Sequence, residues 1–433
     1  MKRNLSVTLL LSLLLAVSLA GCAVNPVTGR KELAIMEVTV DQEVELGGKA
    51  YTQALQKMGG VYPDPALNAY VDRVGQRLAR VSHRPELTYR FNVVNESSPN
   101  AFALPGGYIA ITRGLLVSME DEAQLAAVLA HEIGHVTARH SVQEIQRSTL
   151  MGTTVGLLGA LAGDSGYGQA LTRIGGLTAD LLGKSYSRDQ EYEADALSVD
   201  YLARSGYSLN GAVELQQLFL RKFESGTNPD WVSGLFRTHP FSRDRLTAIE
   251  QRIIGIYGNN RGGAGLDRNA YRRASGSLDK TVAAYELYDQ ARKLEQQGDQ
   301  LAALETYHKA MQQAPDHGLL LSALGMAYLR NEDLVPARRY LIRAVNTDPN
   351  YYESRMGLGY IYLQNRESAR AVTELDASLK LLPTVQAAYL LGQAEEQEGN
   401  FTRAKQLYES VVQADRNGKL GKAAATRLRT LGR

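Results

Sequence analysis

The chain has 433 residues, of which 44% are hydrophobic and 22% charged, with Lys and Arg totalling 48 against 46 Asp and Glu. This composition excludes a disordered or fibrous protein, and the length has room for two or three domains. The single cysteine excludes both a disulfide framework and a Cys-rich zinc site, so a metal here would rely on His and carboxylate; with Lys2 and Arg3 of a removable N-terminus set aside the charges balance, which argues against nucleic acid as the main partner.

Residues 1–4 are basic and residues 5–20 form an uncharged, Leu-rich run, the layout of a secretory signal over residues 1–21. The run is at the short end for a membrane span. It stops at Leu19-Ala20-Gly21-Cys22, which resembles the bacterial lipobox and places the only cysteine where lipidation would occur. A lipid on Cys22 would anchor the chain to a membrane without spanning it. Ala23 follows rather than Asp, and resemblance to sorted lipoproteins of two-membrane bacteria then implies the periplasmic, inner leaflet of the outer membrane.

A helix is expected over residues 39–58, broken by Gly59-Gly60 and Pro63-Asp64-Pro65. A second carries Leu67, Val71, Val74, Leu78 and Val81 on one face. Tyr89, Phe91 and Val93 alternate with polar residues and predict a half-buried strand; Tyr108-Ile109-Ala110-Ile111-Thr112 follows Pro105-Gly106-Gly107 as a second extended segment. Ser118 reads as the N-cap of a helix spanning residues 123–140. Residues 148–184 are rich in Gly, Ala, Leu and Thr; their longest apolar piece, 150–163, is too short to span a bilayer, and they suggest a mobile helical hairpin near the site, whether a lid, a membrane-facing hairpin or a disordered loop. Helices are expected again over 188–204 and 211–223.

Within the predicted 123–140 helix lies His131-Glu132-Ile133-Gly134-His135. Imidazoles four residues apart share a helix face and can reach one metal ion. Glu132 sits one residue round, where a carboxylate reaches a water instead of the metal. Burying these groups unpartnered in an otherwise apolar helix would be costly. A catalytic zinc takes three protein ligands, and Glu191 of Glu191-Tyr192-Glu193-Ala194-Asp195 is the candidate for the third. Asp195 shares its face and can accept an N–H from a ligand imidazole. Glu193 points elsewhere and reads as a solvated charge, and His140 reads as a satisfied helix-end histidine. Trp231 is assigned by default to core packing.

Residues 259–277 are rich in Gly, Ser and Arg and read as a linker between a 22–258 domain and a 278–433 repeat region. Pro315, Pro349 and Pro383 are 34 residues apart, as are Ala303, Ala337 and Ala371; Leu324-Gly325 recurs as Leu358-Gly359. This period and pattern resemble the tetratricopeptide repeat, implying a right-handed stack of about four helical hairpins that serves as a binding platform.

HEIGH followed by EYEAD resembles the gluzincin metallopeptidases that include the CAAX prenyl proteases and HtpX-like quality-control proteases. Asn100–Gly107 with Thr112-Arg113-Gly114-Leu115, and Arg237-Thr238-His239-Pro240 followed by Arg245, resemble further family segments. With the repeats, the pattern looks most like the family's periplasmic branch for outer-membrane assembly. The resemblance implies an edge strand at Tyr108, Ile109, Ala110 and Ile111 along which substrate lies. It also brings His239 to the site, either stabilising an oxyanion or filling the fourth zinc position at rest. Arg245 either pairs with a site carboxylate or forms an exposed salt bridge.

The expected fold is α+β: a mainly helical zincin metallopeptidase domain with a small sheet, then an all-α repeat solenoid. The expected activity is a zinc endopeptidase, one Zn2+ per chain held by His131, His135 and Glu191, with Glu132 as general base. Its expected substrates are unfolded polypeptides, with an outer-membrane assembly machinery bound through the repeats. The alternative is a chaperone or scaffold whose peptidase domain is latent.

Overall fold

The computed structural model describes residues 22–25, 27–33, 38–150, 182–183, 185–224, 234–258 and 261–432. Residues 1–21, where a signal segment is expected, most of the 148–184 segment and Trp231 lie outside the described residues. A small antiparallel hairpin, β1 (Cys22–Val24) with β2 (Lys31–Leu33), opens the described chain. Among the described residues, no helix is long and apolar enough to cross a membrane.

Helix α1 (Val40–Lys57) starts where a capping box dictates: Thr39 Oγ1 accepts from Gln42 N at 3.3 Å, and Gln42 Oε1 accepts from Thr39 N at 3.0 Å. Helix α2 (Pro65–Ala79) begins with proline behind an Asp64 cap. The strands β3 (Arg90–Val94), β4 (Ala101–Leu104) and β5 (Tyr108–Thr112) form one sheet in the order β3-β5-β4. β3 runs parallel to β5, and β4 antiparallel to it.

That order corrects one expectation. Tyr108, Ile109, Ala110 and Ile111 lie on the central strand, hydrogen-bonded on both sides, and cannot form a free substrate edge. The short turn at residues 105–107 folds β5 back against β4, while β3, remote in sequence, closes its other side. Only pairing between distant segments decides which strand is outermost.

Ser118 does not cap the long helix either. It ends a short helix, α3 (Arg113–Ser118), and Asp121 caps α4 (Glu122–Thr137) by accepting from Gln124 N at 2.9 Å. Nor does α4 continue to His140. Arg139 adopts φ 59°, and α5 (His140–Leu150) departs in a new direction.

Helices α6 (Arg188–Ser205), α7 (Asn210–Glu224), the short α8 (Leu235–Thr238) and α9 (Arg243–Tyr257) complete this half. The expected linker is instead a docking element. Ala264 bridges to Tyr207, and Gly265 O accepts from Ala123 N at 3.0 Å, capping the start of α4. A Cβ on Gly263 would lie 2.4 Å from the Tyr207 carbonyl carbon, so this glycine serves close backbone approach and not flexibility. Helix α10 (Arg268–Gln296) starts inside the stretch, and Tyr271, buried, donates its hydroxyl to Leu116 O at 2.7 Å.

The remaining helices pair as hairpins: α10 with α11 (Gln300–Gln313), α12 (Gly318–Arg330) with α13 (Leu334–Thr347), α14 (Tyr352–Gln364) with α15 (Ser368–Leu381), and α16 (Val385–Gln397) with α17 (Phe401–Ala414), closed by α18 (Lys419–Leu431). One contact repeats. Ideal Cβ atoms on Gly325, Gly359 and Gly392 would lie 2.7, 2.6 and 2.7 Å from Leu341, Leu375 and Tyr408 respectively, so only glycine lets each hairpin close. The first hairpins share the core of the N-terminal half: Leu278, Tyr285, Leu319 and Tyr351 are buried in one cluster with Leu67 and Phe91. Later ones form a separate core around Leu375, Leu391 and Tyr408.

Candidate metal centre

The centre is assembled from α4, α6, the segment before α6, the turn after α8 and the first turn of α9. On α4, His131 and His135 stack edge to face, and their Nε2 atoms lie 3.0 Å apart. Helix α6 is started by a Ser187–Gln190 capping box and crosses α4 where Gly134 leaves room: a Cβ there would lie 3.1 Å from the Ala194 Cα. That crossing brings Glu191 Oε1 within 3.5 Å of His135 Nε2 and Glu191 Oε2 within 3.6 Å of His131 Nε2.

His239 enters from a turn pinned at several points. Leu235 N donates to Pro99 O at 2.9 Å, Tyr186 N donates to Thr238 O at 3.1 Å, and Thr238 Oγ1 donates to Asn100 Oδ1 at 3.3 Å. His239 Nδ1 thereby sits 3.4 Å from His131 Nε2 and 3.0 Å from Glu191 Oε1. One donor atom from each of His131, His135, Glu191 and His239 lies within 4.8 Å of all the others. A tetrahedral zinc with bonds of about 2.0–2.1 Å requires donor separations of about 3.3–3.4 Å, so this donor set fits the ion in kind and in spacing.

The charges fit as well. Glu132, Glu191 and Asp195 are all buried, with Arg245 as the guanidinium among them. Asp195 receives Arg245 in bidentate fashion, from Nε at 2.7 Å and from the NH2 nitrogen at 2.8 Å, and faces His131 Nδ1 at 3.0 Å. Arg245 also pairs with Glu191. An excess of buried carboxylate is costly without a cation, and a dication meets the need. In the metal-free protein a proton answers instead: burial pulls His131 down, but Asp195 and Glu191 outweigh it and push it up to about 10. Burial holds His135 well below the usual imidazole range. Glu191 is opposed by burial but held well below the carboxylate range by Arg245 and His239. Glu132 is raised by burial, partly offset by His239 and His131, and its Oε2 is buried without a hydrogen-bond partner.

Beside His131 and Glu132 lies a small recess, its walls including Val128, Ala212, Leu215, Phe219 and Ile249. The sequence-predicted residues His131, Glu132, His135, Glu191, Asp195, His239 and Arg245 are therefore brought together. Tyr108–Ile111 are not part of this cluster, and the side chain of Cys22 lies outside the described residues.

Two readings change and one residue was missed. His140 is not a mere helix-end histidine: its Nδ1 lies 2.8 Å from His135 Nδ1. Glu193 is not a solvated charge, since its Oε2 lies 3.0 Å from His140 Nε2. Tyr186 stacks on the His135 ring at 3.8 Å between centroids, with its hydroxyl 3.2 Å from Ser141 Oγ, and no spacing signal announced it. The break at Arg139, a non-glycine residue with positive φ, could have exposed His140, but nothing local predicts that break.

The model of "Peptidase family M48" matches residues 65–253, and that of "Tetratricopeptide repeat" matches residues 323–385 and 356–419. The beta-barrel assembly-enhancing protease of Yersinia pestis is 27% identical over 429 residues, covering 83% of this chain and 87% of that protein. The metalloprotease YcaL of Escherichia coli (strain K12) is 30% identical over 188 residues, covering 42% of this chain and 70% of YcaL. A relative from Vibrio cholerae serotype O1 is 32% identical over 222 residues, and the chain spans about half of it, 45%.

Proposed function

The chain belongs to peptidase family M48, and on that premise we propose that it is a zinc-dependent endopeptidase of the bacterial envelope. In this reading it cleaves unfolded or misfolded outer-membrane proteins, and its repeats dock client or assembly machinery. The observation that carries the proposal is the buried donor set of His131, His135, Glu191 and His239 with Glu132 beside it, whose Oε2 is buried without a hydrogen-bond partner.

His131, His135 and Glu191 would hold the ion, with Asp195 and Arg245 orienting His131 and Glu191. Zinc, when bound, supplies Lewis acidity that polarises a peptide carbonyl and makes a water easier to deprotonate. Glu132 takes that water's proton and returns it to the leaving amine. The apolar recess suits the side chains that an unfolded chain exposes and a folded one hides. With β5 enclosed, an extended client that adds to the sheet on the α4 side has to pair with β4, whose Ala103 carbonyl currently accepts from Ser141 Oγ at 3.2 Å.

His239 stands where a fourth ligand belongs, which supports a capped resting state over an oxyanion role. The same observation favours the second reading, a scaffold or chaperone whose peptidase stays latent until a partner draws the His239 turn away. We further propose lipid anchoring at Cys22 to the periplasmic face of the outer membrane, supported by Leu19-Ala20-Gly21-Cys22.

The test is cleavage of a casein-like unfolded polypeptide by the purified mature chain beside Glu132→Gln, with zinc measured in both. We expect zinc in both and a loss of about 10²–10⁴-fold in turnover for the variant; equal turnover would remove Glu132 as base. His239→Ala should raise turnover if His239 caps the metal, and a fall would return it to the oxyanion role.

A further inference from the structure

We propose that His140, held by Glu193, is the positioning partner of the zinc ligand His135, and that the N-terminal hairpin behind residue 22 clips this pair from outside. The inference rests on the metal site proposed above.

His135 turns Nε2 into the donor cluster, toward His131 Nε2 at 3.0 Å and Glu191 Oε1 at 3.5 Å. An imidazole that gives one nitrogen to a metal carries its proton on the other. His135 Nδ1–H must therefore donate, and the atom 2.8 Å away is His140 Nδ1. His140 then accepts on Nδ1 and holds its own proton on Nε2, which donates to Glu193 Oε2 at 3.0 Å. One assignment at the metal thus orders every proton along the relay. The other ligand histidine, His131, has a separate support in Asp195 and Arg245.

The backbone is shaped to make this contact. In an unbroken helix, a residue five places after His135 would lie about 140° round the axis, away from it. The positive φ of Arg139 turns the chain so that His140 returns beneath His135. That conformation is unfavourable for a residue with a side chain, and the surroundings hold it. Arg139 pairs with the buried Glu43 and donates to Val38 O at 2.6 Å, and the Ala138 carbonyl receives Asn25 Nδ2 and Gln143 Nε2, each at 2.9 Å.

Asn25 belongs to the turn between β1 and β2. So does Arg30, whose Nε lies 3.4 Å from Glu193 Oε1 while its NH1 nitrogen lies 3.3 Å from Asp189 Oδ2. Contacts thus run from the hairpin to Glu193, His140 and His135. The Arg30 end is half exposed and worth little alone; the His140 end is fully buried and carries most of the effect.

The experiment measures the zinc dissociation constant of the mature chain by chelator competition, and the visible spectrum of its cobalt(II) form. Each variant's metal-free unfolding is followed in parallel. His140→Ala is expected to weaken zinc about 10–100-fold and to alter the cobalt spectrum, Glu193→Ala about tenfold, and Arg30→Ala at most about two-fold. His140→Asn, whose amide oxygen can accept the His135 proton, should recover most of the loss. Wild-type zinc affinity in both His140→Ala and Glu193→Ala would overturn the proposal. So would an affinity loss matched by equal destabilisation of the metal-free chain, with no rescue by Asn. Should His140→Ala fail to fold, Glu193→Ala decides alone. A wild-type chain that binds no zinc overturns this inference and the proposed function together; one that binds zinc without cleaving casein bears only on the latter.

Discussion

The two halves of this molecule solve the same problem, bringing helices close, by opposite means. In the repeat stack one contact recurs: glycine on the first helix of a hairpin receives Leu341, Leu375 or Tyr408 from the second. In the peptidase half each close approach is unique. Gly134 admits Ala194, Gly263 admits Tyr207, and no period relates them. Repetition leaves a local trace in the sequence and builds a platform; a reactive site needs unlike groups from unrelated segments, so its assembly is non-local. The boundary between the halves also differs from the compositional one. Tyr285, on the first repeat helix, accepts from Asn95 Nδ2 at 2.8 Å, lies 3.0 Å from His317 Nδ1, and carries the Arg113 guanidinium 3.7 Å over its ring.

This contrast can be broken most forcefully at Arg245. Arg245→Ala leaves Asp195 and Glu191 buried without their cation, and should cost about 3–5 kcal/mol together with most of the zinc affinity. Denaturant unfolding with metal analysis checks it, and a variant of native stability that retains zinc would show that the charges are balanced otherwise.

Leu391→Ala, in the outer repeat core, should cost about 2–5 kcal/mol within the stack and leave the zinc dissociation constant unchanged. Hydrogen exchange should locate the loosening in residues 352–431. Weakened zinc binding would mean the stack and the site are one cooperative unit.

The smallest effect is one of pH. His131 without metal holds its proton up to about 10, above its ordinary range, so zinc must displace it at neutral pH. The dissociation constant should therefore fall about tenfold per pH unit from 7 to 9, because the competing proton becomes scarcer as pH rises. A flat profile would place that proton elsewhere.

The site was legible as far as spacing reaches. His131 with His135, and Glu191 with Asp195, are pairs one helical turn apart, and a turn is a local property of the chain. His239 and Arg245 came only through resemblance, since nothing near them in sequence speaks of a metal. His140 and Glu193 were read as bystanders because both readings assumed straight helices. A single backbone angle at Arg139 and the crossing of α4 with α6 turned them into neighbours of a ligand.

The repeat stack and the pairing of His131 with His135 and of Glu191 with Asp195 follow from the sequence alone, because each depends on residues within a few positions or on a regular period. Strand order, the docking of α10 and the second support of His135 were decided by tertiary structure. Each rests on contacts between separate segments, such as Val93 with Ile111, 18 residues apart, and Asn25 with Ala138, 113 apart. No local propensity ranks such pairings; they are chosen by the burial and polar satisfaction of the whole fold.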